Sequence, residues 1–283
     1  MDLKEKMENW GPWAEKENMI LIFSLGNEFE GHGPALPKDT DSRIAKYLAQ
    51  KLAHETGQRY CGHIPFQTDR VGEYAKYWMP LYIPMEEFAL QVTKLINGYC
   101  ELIKDTKPNF NKILIINGHG GNKGFESYLS PEAFSVPVIV KFVVSLDLSK
   151  IVEYIETIMK IDISPKKKQE MLSLSIGHAD DFEHSVAHAC GIVDIAKLDQ
   201  LNIDLEKNFQ ETLRRYPVLG GLGGYIEFGN ENFEVLRKEK LNLVECYRKF
   251  KKKGKIEIFP ELGEATLRYS LEELKNFILQ EIY

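Results

Sequence analysis

Residues 19–41 read MILIFSLGNEFEGHGPALPKDTD. The apolar run Met19 to Leu25 is short, bounded by charge before it and by Gly26 after it, which predicts a buried strand. Glu30, His32 and Asp41 follow at once. In an extended segment residues two apart leave the backbone on the same side, so Glu30 and His32 offer an oxygen and a nitrogen to one small volume. Gly31 and Gly33 permit tight curvature, and Pro34 and Pro37 stiffen the return to Asp41.

The same arrangement recurs downstream. Lys112 to Ile116 is a β-branched run followed by Asn117-Gly118-His119-Gly120-Gly121-Asn122. Strands that each end in a loop carrying such side chains converge at the carboxyl edge of an open α/β sheet, where sites are built. Carboxylate and imidazole ligands without thiolate suit zinc, manganese or a similar divalent ion, and two such ions about 3.5–4 Å apart form a common hydrolytic device. A third cluster, His178-Ala179-Asp180-Asp181-Phe182-Glu183-His184, precedes His188. A protease-like zinc pair of His184 and His188 is disfavoured, because Glu183 stands before the first histidine instead of after it.

Strand and helix alternate around these clusters. A helix is expected from Asp41 to Gly57, a strand over Tyr60–Phe66, a helix over Glu86–Lys104, and a short helix through Phe125–Leu129. A strand over Val136–Val144 and helices over Ser145–Lys160, Lys166–Ser173 and Asp181–Cys190 come next. A last strand, Lys255–Phe259, precedes a helix from Glu264 to Ile282. This order predicts a mainly parallel sheet covered by helices on both faces. Residues 200–255 look irregular, and Gly220-Gly221-Leu222-Gly223-Gly224 reads as a mobile loop, lacking the spacing of a dinucleotide fingerprint. Trp10, Trp13, Tyr77, Trp78 and Tyr82 read as core packing.

Composition narrows the function classes. The 283 residues are 43% hydrophobic and 28% charged, which fits a globular protein. A net charge of −6 offers no broad attraction to nucleic acid or anionic lipid, and the Lys166–Lys168 and Lys251–Lys253 runs read as solvated faces. The charged first 18 residues hold no secretory core and no later run reaches bilayer length, so a cytoplasmic address is expected. Cys61, Cys100, Cys190 and Cys246 form no C-x-x-C pair and read as buried free thiols.

EFEGHGPALPKDTD, NGHGGN and HADDFEHS, in this order, resemble the three signatures of the creatininase (creatinine amidohydrolase) family, across roughly residues 19–190. The resemblance implies one three-layer α/β/α domain over residues 1–283, a pair of zinc or manganese ions, and a homo-oligomer, often a hexamer. It also implies that Glu30 and His119 hold one ion, that His32 and Glu183 hold the other, and that Asp41 bridges them. Gly121 stands where creatininase itself supplies a carboxylate. His178 matches the histidine near the substrate and is the expected proton carrier, with Asp180, Asp181, Gly120 and Gly121 expected to line the substrate space. Departures from the pattern include Asn27 for serine, Ala35 for histidine, Asp180 for glycine and His184 for threonine; Ala35 and Asp180 put creatinine in doubt as substrate.

The expected reaction is hydrolysis of a small polar cyclic substrate, a metal-activated hydroxide attacking a carbonyl to open a cyclic amide or cleave a formamide C–N bond. Two alternatives stand beside it. One is C–C hydrolysis of a cyclic 1,3-diketone such as 3-dehydro-scyllo-inosose in inositol catabolism; the other is a metal-binding protein without turnover.

Overall fold

The computed structural model describes residues 19–103, 110–142, 147–237 and 242–282. Trp10 and Trp13, and the ends of the expected elements at Lys104, Val143–Val144 and Ser145, lie outside them. Four parallel strands form the sheet: β1 (Met19–Leu25), β2 (Arg59–Ile64), β3 (Phe110–Asn117) and β4 (Val138–Phe142), in the order β2-β1-β3-β4. Among the described residues the helices are α1 (Thr40–Thr56), α2 (Met85–Ile103), α3 (Leu148–Thr157), α4 (Pro165–Ser173), α5 (Asp181–Ala189), α6 (Ile195–Lys207), α7 (Phe209–Arg215), α8 (Leu219–Phe228), α9 (Leu243–Lys253) and α10 (Pro260–Ile282).

Alternation along the strands builds two cores. Ile20 and Ile22 of β1 with Leu114 and Ile116 of β3 face one way and pack against α1, α3, α5 and α10. Leu21, Phe23 and Leu25 with Ile113 and Ile115 face the other way, onto Phe88, Val92 and Ile96 of α2 and onto Phe125. Both faces are therefore covered, which is why the strands read as continuous apolar runs. The architecture is a three-layer α/β/α sandwich, as expected.

Two close approaches fix the start of α1 against the sheet edge. A Cβ on Gly26 would stand 2.7 Å from the Asp41 carbonyl carbon, and one on Gly118 would stand 2.5 Å from the Asp41 carbonyl oxygen. The ends of β1 and β3 thus press directly on the backbone that carries Asp41, and only glycine leaves the room.

The region 200–255 departs from expectation. It is largely helical, and it holds a third core in which Leu201, Leu205, Leu213, Leu219, Tyr247 and Phe250 pack with Trp78 and Met79. The GGLGG stretch is buried within α8 and is not a loose loop. Gly220 and Gly221 have φ of 60° and 77°, and Leu222 also adopts positive φ. Their left-handed turn lets Gly221 N donate to the His178 carbonyl at 2.7 Å and Gly220 N donate to that of Ala179 at 3.2 Å. A side chain at 220 would drive into the Phe250 ring. Gly220→Ala should therefore destabilise the fold by roughly 1–3 kcal/mol, from overpacking with added backbone strain; urea denaturation with no shift in midpoint would contradict this bracing role.

Lys255–Phe259 is not a strand; it is an irregular segment held by side chains. Ile256 exchanges backbone bonds with the Asn202 amide, Glu257 N donates to Asp181 Oδ1 at 2.8 Å, and Phe259 N donates to Ser185 Oγ at 2.9 Å. The lysine runs are largely acid-paired, Lys167 with Glu261, Lys168 with Glu156, Lys251 with Glu227 and Lys253 with Asp181. Trp78 is core, whereas Tyr77 is exposed and Tyr82 half-buried. The cysteines are free; Cys246 is buried, but Cys61, Cys100 and Cys190 are only half-buried. No helix of the described residues is long and apolar enough to cross a membrane.

Candidate metal centre

Glu30 and His32 lie in the loop after β1. Its backbone is pinned by Glu30 N donating to the Lys38 carbonyl at 3.1 Å and Gly31 N donating to that of Trp78 at 2.8 Å. Asp41 enters from the first turn of α1, His119 from the loop after β3, and Glu183 from the first turn of α5. All five expected ligands meet at the carboxyl edge of the sheet. Glu30, His32, Asp41 and His119 are buried, and Glu183 is half-buried.

The tautomer of His32 follows from its partners. Nδ1 lies 3.1 Å from the Glu30 carbonyl oxygen, which can only accept, so Nδ1 carries the proton. Nε2 is buried without a hydrogen-bond partner and faces Asp41 Oδ1 at 3.7 Å and Glu183 Oε1 at 3.5 Å. Those separations are too long for hydrogen bonds. Two ligands each about 2.1 Å from one ion at a tetrahedral angle stand about 3.4 Å apart. The orphaned nitrogen and its two carboxylates therefore fit a shared divalent cation. Beside them, His119 Nδ1 lies 2.8 Å from Asp41 Oδ2 and 3.1 Å from Glu30 Oε2, so Asp41 turns one oxygen to each histidine.

Charge complementarity in this pocket is strong. Burial raises the Asp41 carboxyl, but the hydrogen bond from His119 and the nearby His32 ring outweigh it and hold the group well below the usual range. Glu183 is likewise lowered, burial being overcome by His32 and then His178. His32 and His119 move the opposite way. Burial opposes their charge, yet Glu183 and Asp41 raise His32, and Glu30, Asp41 and Asp69 raise His119, both well above 6.5.

His178 stands at the rim. Its Nε2 donates to the Gly31 carbonyl at 2.6 Å, its Nδ1 faces Glu30 Oε1 at 3.4 Å, and its ring centroid is 4.5 Å from that of His32. It is close enough to form a candidate cation group with Glu30 and His32; a second such group is His32, Asp41 and Glu183, and a third is Glu30, Asp69 and His119. The fold thus gives His178 a position from which it could act as ligand as well as proton carrier.

The residues expected to meet substrate are placed differently. Asp180 caps α5, its carboxylate accepting from Glu183 N at 3.1 Å and Gly177 N at 2.7 Å, and burial pushes its pKa well above the ordinary carboxylate value. Asp181 accepts from Lys253 Nζ and Glu257 N. Both carboxylates hold the α5 turn. Gly120 is exposed, and Gly121 packs over His119 and Asp69. In the rival pair, His184 Nδ1 donates to the Asp180 carbonyl at 2.8 Å; burial lowers the ring to about 4.

Three residues escaped the sequence reading. Asn27 donates to Glu30 Oε2 at 2.6 Å, fixing that carboxylate, and the shift from serine was the only signal. Asn117 Oδ1 accepts from His119 N at 3.1 Å and from the Asn122 amide at 3.1 Å, tying the NGHGGN loop to itself. Asp69, which no motif marks, comes from the loop after β2.

Comparison with known proteins identifies the family. The family model for creatininase, described as creatinine amidohydrolase, matches residues 11–211. A 2-amino-5-formylamino-6-ribosylaminopyrimidin-4(3H)-one 5'-monophosphate deformylase of Methanothermus fervidus is 26% identical over 94% of this chain and 85% of its own. The protein of the same name from Methanosphaera stadtmanae is 26% identical over 97% and 96%. A crystal structure of creatinine amidohydrolase superposes with a TM-score of 0.57 at 15% identity, over 100% of this chain and 96% of that one, and shows the shared fold. With the family match spanning more than half of its length, the chain belongs to the creatininase family of hydrolases.

Proposed function

We propose that this protein is a dinuclear metal-dependent hydrolase that removes a formyl group from a small, polar, ring-bearing formamide by C–N cleavage. The observation that carries the reading is the convergence of Glu30, His32, Asp41, His119 and Glu183, with the buried Nε2 of His32 aimed between two carboxylates. Near full-length relatives named as formamidopyrimidine deformylases support the C–N choice over the C–C alternative.

Glu30 and His119 would hold one cation, His32 and Glu183 the other, and Asp41 would join them. Such a pair, when bound, supplies Lewis acidity and an activated water near neutral pH. Asn27 keeps the Glu30 carboxylate from turning away, and the Glu30 carbonyl keeps the His32 proton on Nδ1 so that Nε2 stays free. His178 is anchored through Nε2 to Gly31, which leaves Nδ1 as the nitrogen that can give a proton to the departing amine. The bracing of its backbone by Gly221 holds that nitrogen at the rim, where a leaving group would pass.

The test is formate release from a formylaminopyrimidine ribonucleotide, measured with manganese and with zinc beside creatinine and a cyclic 1,3-diketone. Formate from the formamide alone is expected; hydrolysis of the diketone or of creatinine without formate release would overturn the assignment.

A further inference from the structure

Asp69 lies outside the three signatures, yet its carboxylate is buried against the pocket. Its Oδ1 accepts from Val71 N at 2.9 Å, its carbonyl accepts from Gly72 N at 2.9 Å, and Arg70 N donates to the Gly121 carbonyl at 2.9 Å. These bonds dock the loop after β2 onto the NGHGGN loop and fix the Asp69 carboxylate in place. Its second oxygen, Oδ2, faces His119 Nε2 at 3.7 Å. That nitrogen is buried and has no hydrogen-bond partner.

His119 presents its two nitrogens to different neighbours. Nδ1 is on the side of Glu30 and Asp41, so a cation held with those carboxylates would take the Nδ1 lone pair. The ring must then carry its proton on Nε2, inside the protein, where an unsatisfied N–H is costly. Ligating histidines generally give their other ring proton to a carboxylate, carbonyl or water, which sets tautomer and orientation. Gly121 makes the approach possible: a Cβ there would stand 2.7 Å from Asp69 Oδ2 and would collide with His119 Nε2. A side chain at 121 and the Asp69 carboxylate compete for one space.

We infer that Asp69 is a positioning residue for the metal centre, accepting the Nε2 proton of His119 and so committing Nδ1 to the cation. This rests on the two-ion reading above, and it requires the Asp69–His119 contact, 3.7 Å here, to close to hydrogen-bond length when a cation is bound. Zinc titrations of the metal-free protein against a chromophoric chelator test it, together with proton NMR of the zinc-loaded form. Asp69→Ala should still bind two zinc ions per chain, one of them about 10–100-fold more weakly. Asp69→Asn, whose amide oxygen can still accept, should recover most of that loss, and it provides the readout if the alanine variant does not fold. A slowly exchanging imidazole N–H signal, assigned by its loss in His119→Ala, should persist with a shift in Asp69→Asn and vanish in Asp69→Ala. Wild-type affinity with an unchanged signal in Asp69→Ala would overturn the proposal. So would a fall to one zinc ion, which would make Asp69 a ligand. Wild-type protein binding fewer than two zinc ions would instead overturn the two-ion reading, while the N–H signal still decides the Asp69 contact.

Discussion

Asp41→Ala should strip the centre of both cations. Asp41 directs an oxygen to each candidate ligand histidine, Oδ1 to His32 and Oδ2 to His119. Under the proposed assignment its loss leaves two ligands on either side, Glu30 with His119 and His32 with Glu183, too few for a divalent ion that usually takes three or more protein ligands. Affinity should fall more than about 100-fold, beyond the range of an outer-shell loss. Turnover should fall at least about 1000-fold, since the several kcal/mol of charge stabilisation supplied by the cations go with them. Metal content by mass spectrometry, before and after dialysis, checks this. Glu183→Ala is the control, because it touches His32 and leaves the Glu30–His119 pair intact, and it should remove a single ion. Retention of two ions by Asp41→Ala would show that the bridge is elsewhere.

The same geometry explains which parts of the molecule can be read from its sequence. β1 and β3 are legible because both faces of a covered parallel sheet bury apolar side chains, and the loops that follow them carry ligands at fixed spacing. The candidate ligands are legible for the same reason: each sits in a compact motif. Asp69 is invisible in sequence because it reaches the site through the docking of one loop on another, by way of Arg70 and Gly121. Asp180 has a structural role that its motif does not announce. Its place in a signature suggests substrate contact, whereas the start of a helix demands an acceptor for its free N–H groups, and Asp180 provides it.

Lys255–Phe259 alternates like a strand but pairs with no strand among the described residues; Asn202, Asp181 and Ser185 bond its backbone instead. GGLGG reads as flexible because glycine permits any conformation. Its buried left-handed turn is set by tertiary contact with His178, Ala179 and Phe250, which local sequence does not encode. The segment that looks least structured therefore backs the residue placed at the rim of the centre.

Metal affinity should fall steeply with falling pH, because cations and protons compete for His32 and His119. In the metal-free protein both imidazoles are raised well above 6.5, so near neutral pH each carries a proton that must leave when its ion binds. Asp41 and Glu183 are lowered and already ionised, so they release none. With up to one proton displaced per histidine, the two-ion binding constant should change by up to about 100-fold per pH unit below the raised histidine values and flatten above them. Calorimetry in buffers of differing ionisation enthalpy counts the protons directly. Stability should respond with opposite signs in the two forms. In metal-free protein the histidine contribution is complete below their ordinary value of 6.5 and is lost as pH rises through the raised values, while the carboxylate contribution is lost as pH falls below about 4. Loaded protein gains from the metal as pH rises. The gap in Tm between loaded and chelated protein should therefore widen from pH 6 to pH 8. A gap that narrows over that interval, or calorimetry showing no proton release, would mean that the cations do not enter between these histidines and carboxylates.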